Sequence, residues 1–485
     1  MHRRHFAALL APLALAPRFT LPSRRLERTP LPTPETLRPD GVTLTARAAR
    51  VDVAPSVAGE VWTVSTGAHG VVAPTLRVRT GDTMRLDLAN ELAEPTVLHW
   101  HGLSVPEAMD GGPRMAIGPG QRLGYRFPVR NRAGTYWYHA HPHMRTGAQV
   151  TRGVAGLLLI GDDEEDALAL PSGAREIGVI VQERRLGADG GFDYAPAMHE
   201  RMEGWFGETI YGNGAPDPTV EVDTALHRVR LVNGTPSRIL RLALSNGAPM
   251  LLIGTDGGLL PEPVSVDTID LGTGERVDLL VDFSDLAVGT RVMLRSLAFD
   301  SPAGGGGGMG GMGRGMGRMM AGGIAQGEAL DLLEFVVARA VRSRPWQRRP
   351  FPAIERLDPA TAHTTRTFRF DSMMMQHSIN GQMFDMDRVD VTVPFGSTEI
   401  WRFVNPGPFP HPVHVHEIQF QVLRREGGRG RLFPWEGGWK DTVLVHPDET
   451  VDVIARFDAH RGRYLLHCHN LVHEDGGMML NYEIA

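Results

Sequence analysis

Residues 75–92 read TLRVRTGDTMRLDLANEL, two strand-like runs of alternating apolar and polar residues on either side of Thr-Gly-Asp. Alternation with period two sends one face of a strand to a core and the other to solvent. The same texture starts at about residue 42 and continues through QRLGYRFPV (121–129), GTYWYHAH (134–141) and VAGLLLIG (154–161). Gly-, Pro- and Asp-rich turns separate the runs, so this block is expected to form antiparallel sheets packed as a sandwich.

Two further blocks repeat the pattern. The acidic, turn-rich GDDEEDALALPSGAR (161–175) ends the first. EIGVIVQ, HRVRLVNG, RILRLAL, ERVDLLVDF and RVMLRS make up a second set within 176–296, and the Arg- and Pro-rich stretch 341–362 is a linker. A third set runs from TFRFDS (367) through STEIWRFVN and ETVDVIARFD to the end. Each has the length of a small Greek-key sandwich, so the expectation is an all-β chain with domains at 42–165, 175–340 and 362–485. A Gly/Met-rich insert, 303–323, interrupts the second; it cannot bury a core and reads as a loop or hairpin tip.

Composition fits a globular protein, with 42% hydrophobic and 22% charged residues among 485. The net charge of −6 implies no basic face, which argues against nucleic acid as a partner. At the N-terminus, Arg3 and Arg4 precede an apolar run, Phe6 to Ala16, too short to span a bilayer. Residues 1–22 therefore read as an export signal of twin-arginine type, implying a periplasmic or secreted protein, exported folded. No membrane span and a monomer are expected.

Ten of the 20 histidines fall in four clusters: His99 and His101; His139 and His141; His411, His414 and His416; His467, His469 and His473. On a strand, residues i and i+2 share a face, so each H-x-H aims two imidazoles into one space. Four such pairs give eight imidazoles, enough for about three metal ions. The single cysteine, Cys468, lies between His467 and His469 and must face the other way. One thiol cannot form an internal disulfide, and an exported free thiol risks oxidation unless a metal occupies it. His411, Cys468 and His473, with Met478 as weak axial partner, make the His₂Cys-plus-Met set of a blue-copper electron-transfer site. The tripeptide 467–469 would then join two kinds of copper site covalently.

With these motifs, with PTLRVRTGDTMRLDLANEL ahead of LHWHGL, and with GGWKDTVLV before the last cluster, the chain resembles the three-domain bacterial multicopper oxidases, laccase-like or copper-resistance enzymes. The resemblance spans about 42–485 and implies three cupredoxin-like domains holding four copper ions. It implies His411, Cys468, His473 and Met478 at a type 1 copper, and His99 and His414 at a type 2 copper. His101, His139 and His469 would hold one type 3 copper, and His141, His416 and His467 the other. The first and third domains would share this trinuclear cluster, the middle domain serving as a spacer. The implied chemistry is one-electron oxidation of a reductant coupled to four-electron reduction of O₂ to water. Asp110 and Glu474 match acids that the family uses to deliver protons, while His143, two residues beyond His141, reads as a support rather than a ligand.

The reductant has two readings. A laccase-like enzyme would oxidise phenols or aromatic amines at an exposed edge of His473 or His411. A cuprous oxidase would take electrons from Cu(I), to which Met309, Met312, Met316, Met319 and Met320 offer soft thioethers, with Met373, Met374 and Met375 as a further set. Cuprous oxidases of the family carry an acidic residue and a Met just ahead of the third motif; FVNPGPFPH has neither, which favours the laccase-like reading. A third reading, a non-catalytic copper-binding or structural cupredoxin protein, sits poorly with a chain in which every ligand position is filled.

Overall fold

The computed structural model describes residues 28–54, 57–67, 72–187, 191–301, 323–343, 345–373 and 376–485. The stretch expected to be an export signal, Met309 to Met320, Met374 and Met375 lie outside them. No helix among the described residues is long and apolar enough to cross a membrane.

Among the described residues the strands form six sheets, paired around three main cores. Thr83–Asn90 shows why: its Met84, Leu86 and Leu88 are buried while Thr83, Arg85 and Asp87 are exposed, as period two requires. In the first core these residues meet Leu76, Leu98, Trp100, Tyr136 and Leu158 from the opposing sheet. The second core is the largest, built on Val179, Leu231, Leu252, Leu279, Leu332 and Phe335. The third packs Phe368, Trp401, Phe403 and Val453 against Val413, Leu466, Cys468 and Leu480.

The sheets are mixed rather than purely antiparallel as expected. Thr75–Arg79 runs parallel to Ala155–Gly161, and Asp40–Ala54 parallel to Thr83–Asn90. Long crossovers between the two layers return distant strands side by side, which lets them run parallel. Thr29–Pro30 also pairs in parallel with Pro218–Asp223, tying the start of the described chain to the middle sandwich. Helices are short, and the two that bear on the site are Met198–Glu203 and Leu471–Asp475.

Candidate metal centre

Strand register brings the four H-x-H pairs together. Leu98–His101 lies antiparallel to Gly134–Ala140 with His99 opposite His139. His411–Val415 lies antiparallel to Gly462–Cys468 with His414 opposite His467 and Val413 opposite Cys468. The first and third sandwiches face each other here, and all eight imidazoles are buried in one cluster. His99 stacks on His416 and His101 on His414, each with ring centroids 3.7 Å apart.

On six of the rings, His467 among them with Nδ1 on the Cys468 carbonyl (3.2 Å), the hydrogen bonds fix which nitrogen is bare, because a carbonyl or carboxylate oxygen accepts. His99 Nδ1 donates to the Asp110 carbonyl (2.8 Å), His414 Nδ1 to the Asp441 carbonyl (2.9 Å) and His139 Nδ1 to the Ala140 carbonyl (3.0 Å). His416 Nδ1 donates to Asp110 Oδ2 (2.8 Å), and His101 Nε2 to Asp441 Oδ1 (3.2 Å). The remaining nitrogens then face one another as lone pairs: His414 and His99 at 3.5 Å, His101 and His139 at 3.3 Å, His416 and His467 at 3.1 Å. Lone pairs this close repel unless a cation lies among them. Burial, and then the neighbouring imidazoles, hold His99, His416 and His469 well below the ordinary histidine value, keeping the rings neutral as metal ligation needs.

The donors of His141, His416 and His467 all lie within 4.8 Å of one another. His99 joins two such groups, with His414 and His416 and with His101 and His139. His469 joins none among the described residues; its ring stands 4.8 Å from His101 and 5.3 Å from His139, and neither of its nitrogens has a hydrogen-bond partner.

On the other face of the same strand, Cys468 Sγ lies 3.4 Å from His411 Nδ1 and 3.6 Å from His473 Nδ1, with 3.2 Å between the two nitrogens. Bonds of ~2.1 Å in a trigonal plane put donors ~3.6 Å apart, so the triad fits one ion. His473 Nε2 donates to the Met202 carbonyl (3.1 Å), which leaves Nδ1 bare toward the sulfur. Met478 is buried in the same core as Cys468, and its carbonyl accepts the Cys468 N–H at 3.1 Å. Burial pushes the Cys468 thiol well above its ordinary value, a cost that a bound cation reverses by holding thiolate. The donor sets therefore fit copper at both places.

The carboxylates flank this cluster. Burial raises Asp110 to about 7 against the pull of His141 and His467. Asp110 also lines a cavity of about 290 Å³ with Glu107, Met115, Phe384 and Arg463. Glu474 Oε2 lies 3.2 Å from His467 Nδ1 and Oε1 3.6 Å from His141 Nδ1. Burial alone would raise Glu474, but those two imidazoles outweigh it and hold the carboxyl below its ordinary value.

Three expectations change. His473 and His411 have no exposed edge: both are buried, and helix Met198–Glu203 and His377, stacked on His473 at 4.4 Å, cover the triad. The middle sandwich is more than a spacer: Arg276 pairs with Asp441 through two bonds of 2.6 Å, and Thr273 Oγ1 donates to the His469 carbonyl at 2.5 Å. His143 is exposed and packed on Phe384 at 5.4 Å, with no hydrogen bond to a candidate ligand among the described residues. Sequence reasoning missed Arg276, Asp441 and His377; the one available signal was a charged pair, Lys440 and Asp441, set directly before the apolar run TVLV.

A His₂Cys triad joined through one tripeptide to an eight-histidine cluster, on cupredoxin-like sandwiches, defines an oxidoreductase working with copper and O₂. Residues 46–165 and 354–485 both match the family described as multicopper oxidase. Bilirubin oxidase of Albifimbria verrucaria is 32% identical over 426 residues, 84% of this chain and 70% of that protein. Cell division protein FtsP of Escherichia coli K12 is 31% identical over 454 residues, 89% of this chain and 87% of that one. The crystal structure of McoA multicopper oxidase from Aquifex aeolicus superposes with a TM-score of 0.84 at 31% identity, covering 95% of this chain and 100% of that one. The chain belongs to the multicopper oxidase family.

Proposed function

We propose that the protein is a laccase-like oxidase that takes single electrons from small aromatic reductants near His473 and reduces O₂ to water among the shared histidines. In this reading His411, Cys468, His473 and Met478 hold a type 1 copper and His99 and His414 a type 2 copper. His101, His139 and His469 hold one type 3 copper, and His141, His416 and His467 the other. Bound copper supplies the reversible one-electron chemistry that side chains lack. The observation that carries the reading is the set of neutral imidazoles with lone pairs turned on one another, one peptide bond from a His₂Cys triad.

The chain's own groups do the rest. Cys468 links the triad to His467 and His469 through its two peptide bonds, a covalent path for electrons. Asp110, bonded to His416 and open to the cavity, is placed to pass protons inward from solvent. Glu474, a carboxylate between His141 and His467, is placed to relay protons toward the reacting oxygen. Export in folded form to the periplasm or exterior, as a monomer, completes the reading.

A second reading, oxidation of Cu(I), draws on the cover over His473. Helix Met198–Glu203 (MHERME), whose Met202 carbonyl accepts from His473, carries Met198, 70% exposed, and Glu203, soft and anionic groups suited to a cuprous ion.

Copper-loaded protein is expected to be blue, and Cys468→Ser to lose both colour and phenol oxidation. A Cys468→Ser protein oxidising a phenol at the parental rate refutes the reading. Comparing kcat/KM for a phenol and for Cu(I), before and after removal of 304–323, separates the reductants: loss of Cu(I) turnover alone favours the second.

A further inference from the structure

We infer that Arg276, from the middle sandwich, is a positioning residue of the oxygen-reducing centre, acting through Asp441 to fix the tautomer of His101 and the placement of His414. The inference rests on the reading of the histidine cluster as a copper centre.

Arg276 opens the strand Arg276–Asp282 and is fully buried. All five guanidinium N–H groups are used. Nε donates to the Thr135 carbonyl (3.1 Å), Nη1 to the Gly274 carbonyl (3.1 Å) and Asp441 Oδ1 (2.6 Å), and Nη2 to the Asp256 carbonyl (2.9 Å) and Asp441 Oδ2 (2.6 Å). Thr135 belongs to the first sandwich, Gly274 and Asp256 to the middle one and Asp441 to the third, so one side chain bonds all three. The two parallel bonds to Asp441 fix the plane of its carboxylate, which a single bond leaves free to turn.

What Asp441 does with that fixed plane is ligand work. Its Oδ1 accepts from His101 Nε2 at 3.2 Å and from Thr442 Oγ1 at 3.0 Å. A carboxylate oxygen accepts, so His101 carries its proton on Nε2 and turns a bare Nδ1 to His139 Nε2. The Asp441 carbonyl accepts from His414 Nδ1 at 2.9 Å, leaving Nε2 bare toward His99. Asp441 thus sets the tautomers of two histidines from two different sandwiches, together with the Thr442 hydroxyl, 3.1 Å from both His101 Nε2 and His414 Nδ1, and Arg276 sets the plane of the Asp441 carboxylate. The space is closed against adjustment, since a Cβ at Gly102, next to His101, would collide with both Asp441 Oδ2 and Arg276 Nη2. A purely structural ion pair needs none of this alignment.

The test uses the full copper-loaded protein with Arg276→Met, Arg276→Lys and Asp441→Asn. Three readouts are taken: release of copper to a chelator, the electron paramagnetic resonance signal of type 2 copper, and the blue absorbance of the type 1 site. Arg276→Met is expected to release trinuclear copper about 10–100-fold more readily and to alter the type 2 signal, with blue absorbance retained. Asp441→Asn keeps an acceptor for His101 and is expected to show the same change more weakly. Arg276→Lys, with one nitrogen in place of a fork, is expected to rescue only in part. Parental retention and type 2 signal in both Arg276→Lys and Asp441→Asn would overturn the inference even if Arg276→Met fails to fold. So would parallel loss of blue and trinuclear copper with a lowered Tm, which marks a structural role. A parent that loads copper without turning blue instead refutes the copper reading itself.

Discussion

Gly274 and Gly81 offer a matched pair that isolates ring placement in the cluster from backbone strain. Their φ values are +84° and +91°, where an L side chain is disfavoured. Alanine at either costs ~1–2 kcal/mol in conformation, offset by ~0.4–1 kcal/mol from a stiffer unfolded chain, so roughly 1 kcal/mol is lost at both. Their surroundings differ. A Cβ at Gly81 meets nothing within 4 Å, whereas at Gly274 it stands 3.0 Å from His101 Cε1 and 3.0 Å from the His469 ring. Carbon contacts settle at ~3.5 Å or more, so Gly274→Ala must push these rings by about 0.5 Å. Ligand sets tolerate displacements of only ~0.5 Å, and misplacement by ~1 Å costs about 100-fold in rate, so a loss of about tenfold is expected. The assay is O₂ consumption at saturating reductant, giving kcat/KM for O₂, together with Tm for each variant. Gly81→Ala should lose Tm alone, and Gly274→Ala should lose at least as much Tm and also about tenfold in kcat/KM. Equal O₂ kinetics in the two variants would refute the reasoning and detach His469 from the reacting centre.

Two other outcomes follow from the cover and the helix ends. Burial, and then Glu200, raise Glu203 from an ordinary 4.5 to about 7. A carboxyl raised in the folded state favours folding below its ordinary value, and that contribution is lost as pH rises through about 7. Tm measured from pH 4 to 8 should therefore fall less steeply in Glu203→Gln than in the parent, and superimposable slopes would exclude the effect. Asp475 accepts the N–H groups of Thr146 and Gly147 at 2.9 and 3.0 Å, capping the helix Thr146–Arg152 from the third sandwich. Asp475→Ala should cost ~1–2 kcal/mol and raise amide exchange across 146–152, and unchanged exchange there would contradict the capping role.

Period two made most of the fold legible. Met84, Leu86 and Leu88 alternate with exposed neighbours, and that local pattern needs no knowledge of partners. Direction of pairing is different, because it depends on where the chain returns after a crossover. Nothing within Asp40–Ala54 or Thr83–Asn90 says that they run parallel. Buried edges such as that of His473 were hidden for the same reason: the helix over it belongs to the middle sandwich, and Met202 and His473 are 271 residues apart.

The candidate ligands were readable because each pair is two residues apart on one strand, whereas their supports are contacts at long range. Arg276 and Asp441 are 165 residues apart, and either taken alone looks like a solvated charge. Their burial converts a surface charge pair into a fixed frame, since two buried charges persist only when paired and fully hydrogen-bonded. The same logic extends along the tripeptide that joins the two sites. Thr273 holds the His469 carbonyl, Ser237 Oγ donates to Asn470 Oδ1 at 2.8 Å, and the Pro236 carbonyl accepts the Leu471 N–H at 2.8 Å. The middle sandwich thus grips the chain from His469 to Leu471, immediately after Cys468, as well as the far side of the cluster through Arg276. A sandwich that contributes none of the twelve candidate ligands of the triad and the cluster therefore holds in place both the cluster and the backbone that leads to it from the triad.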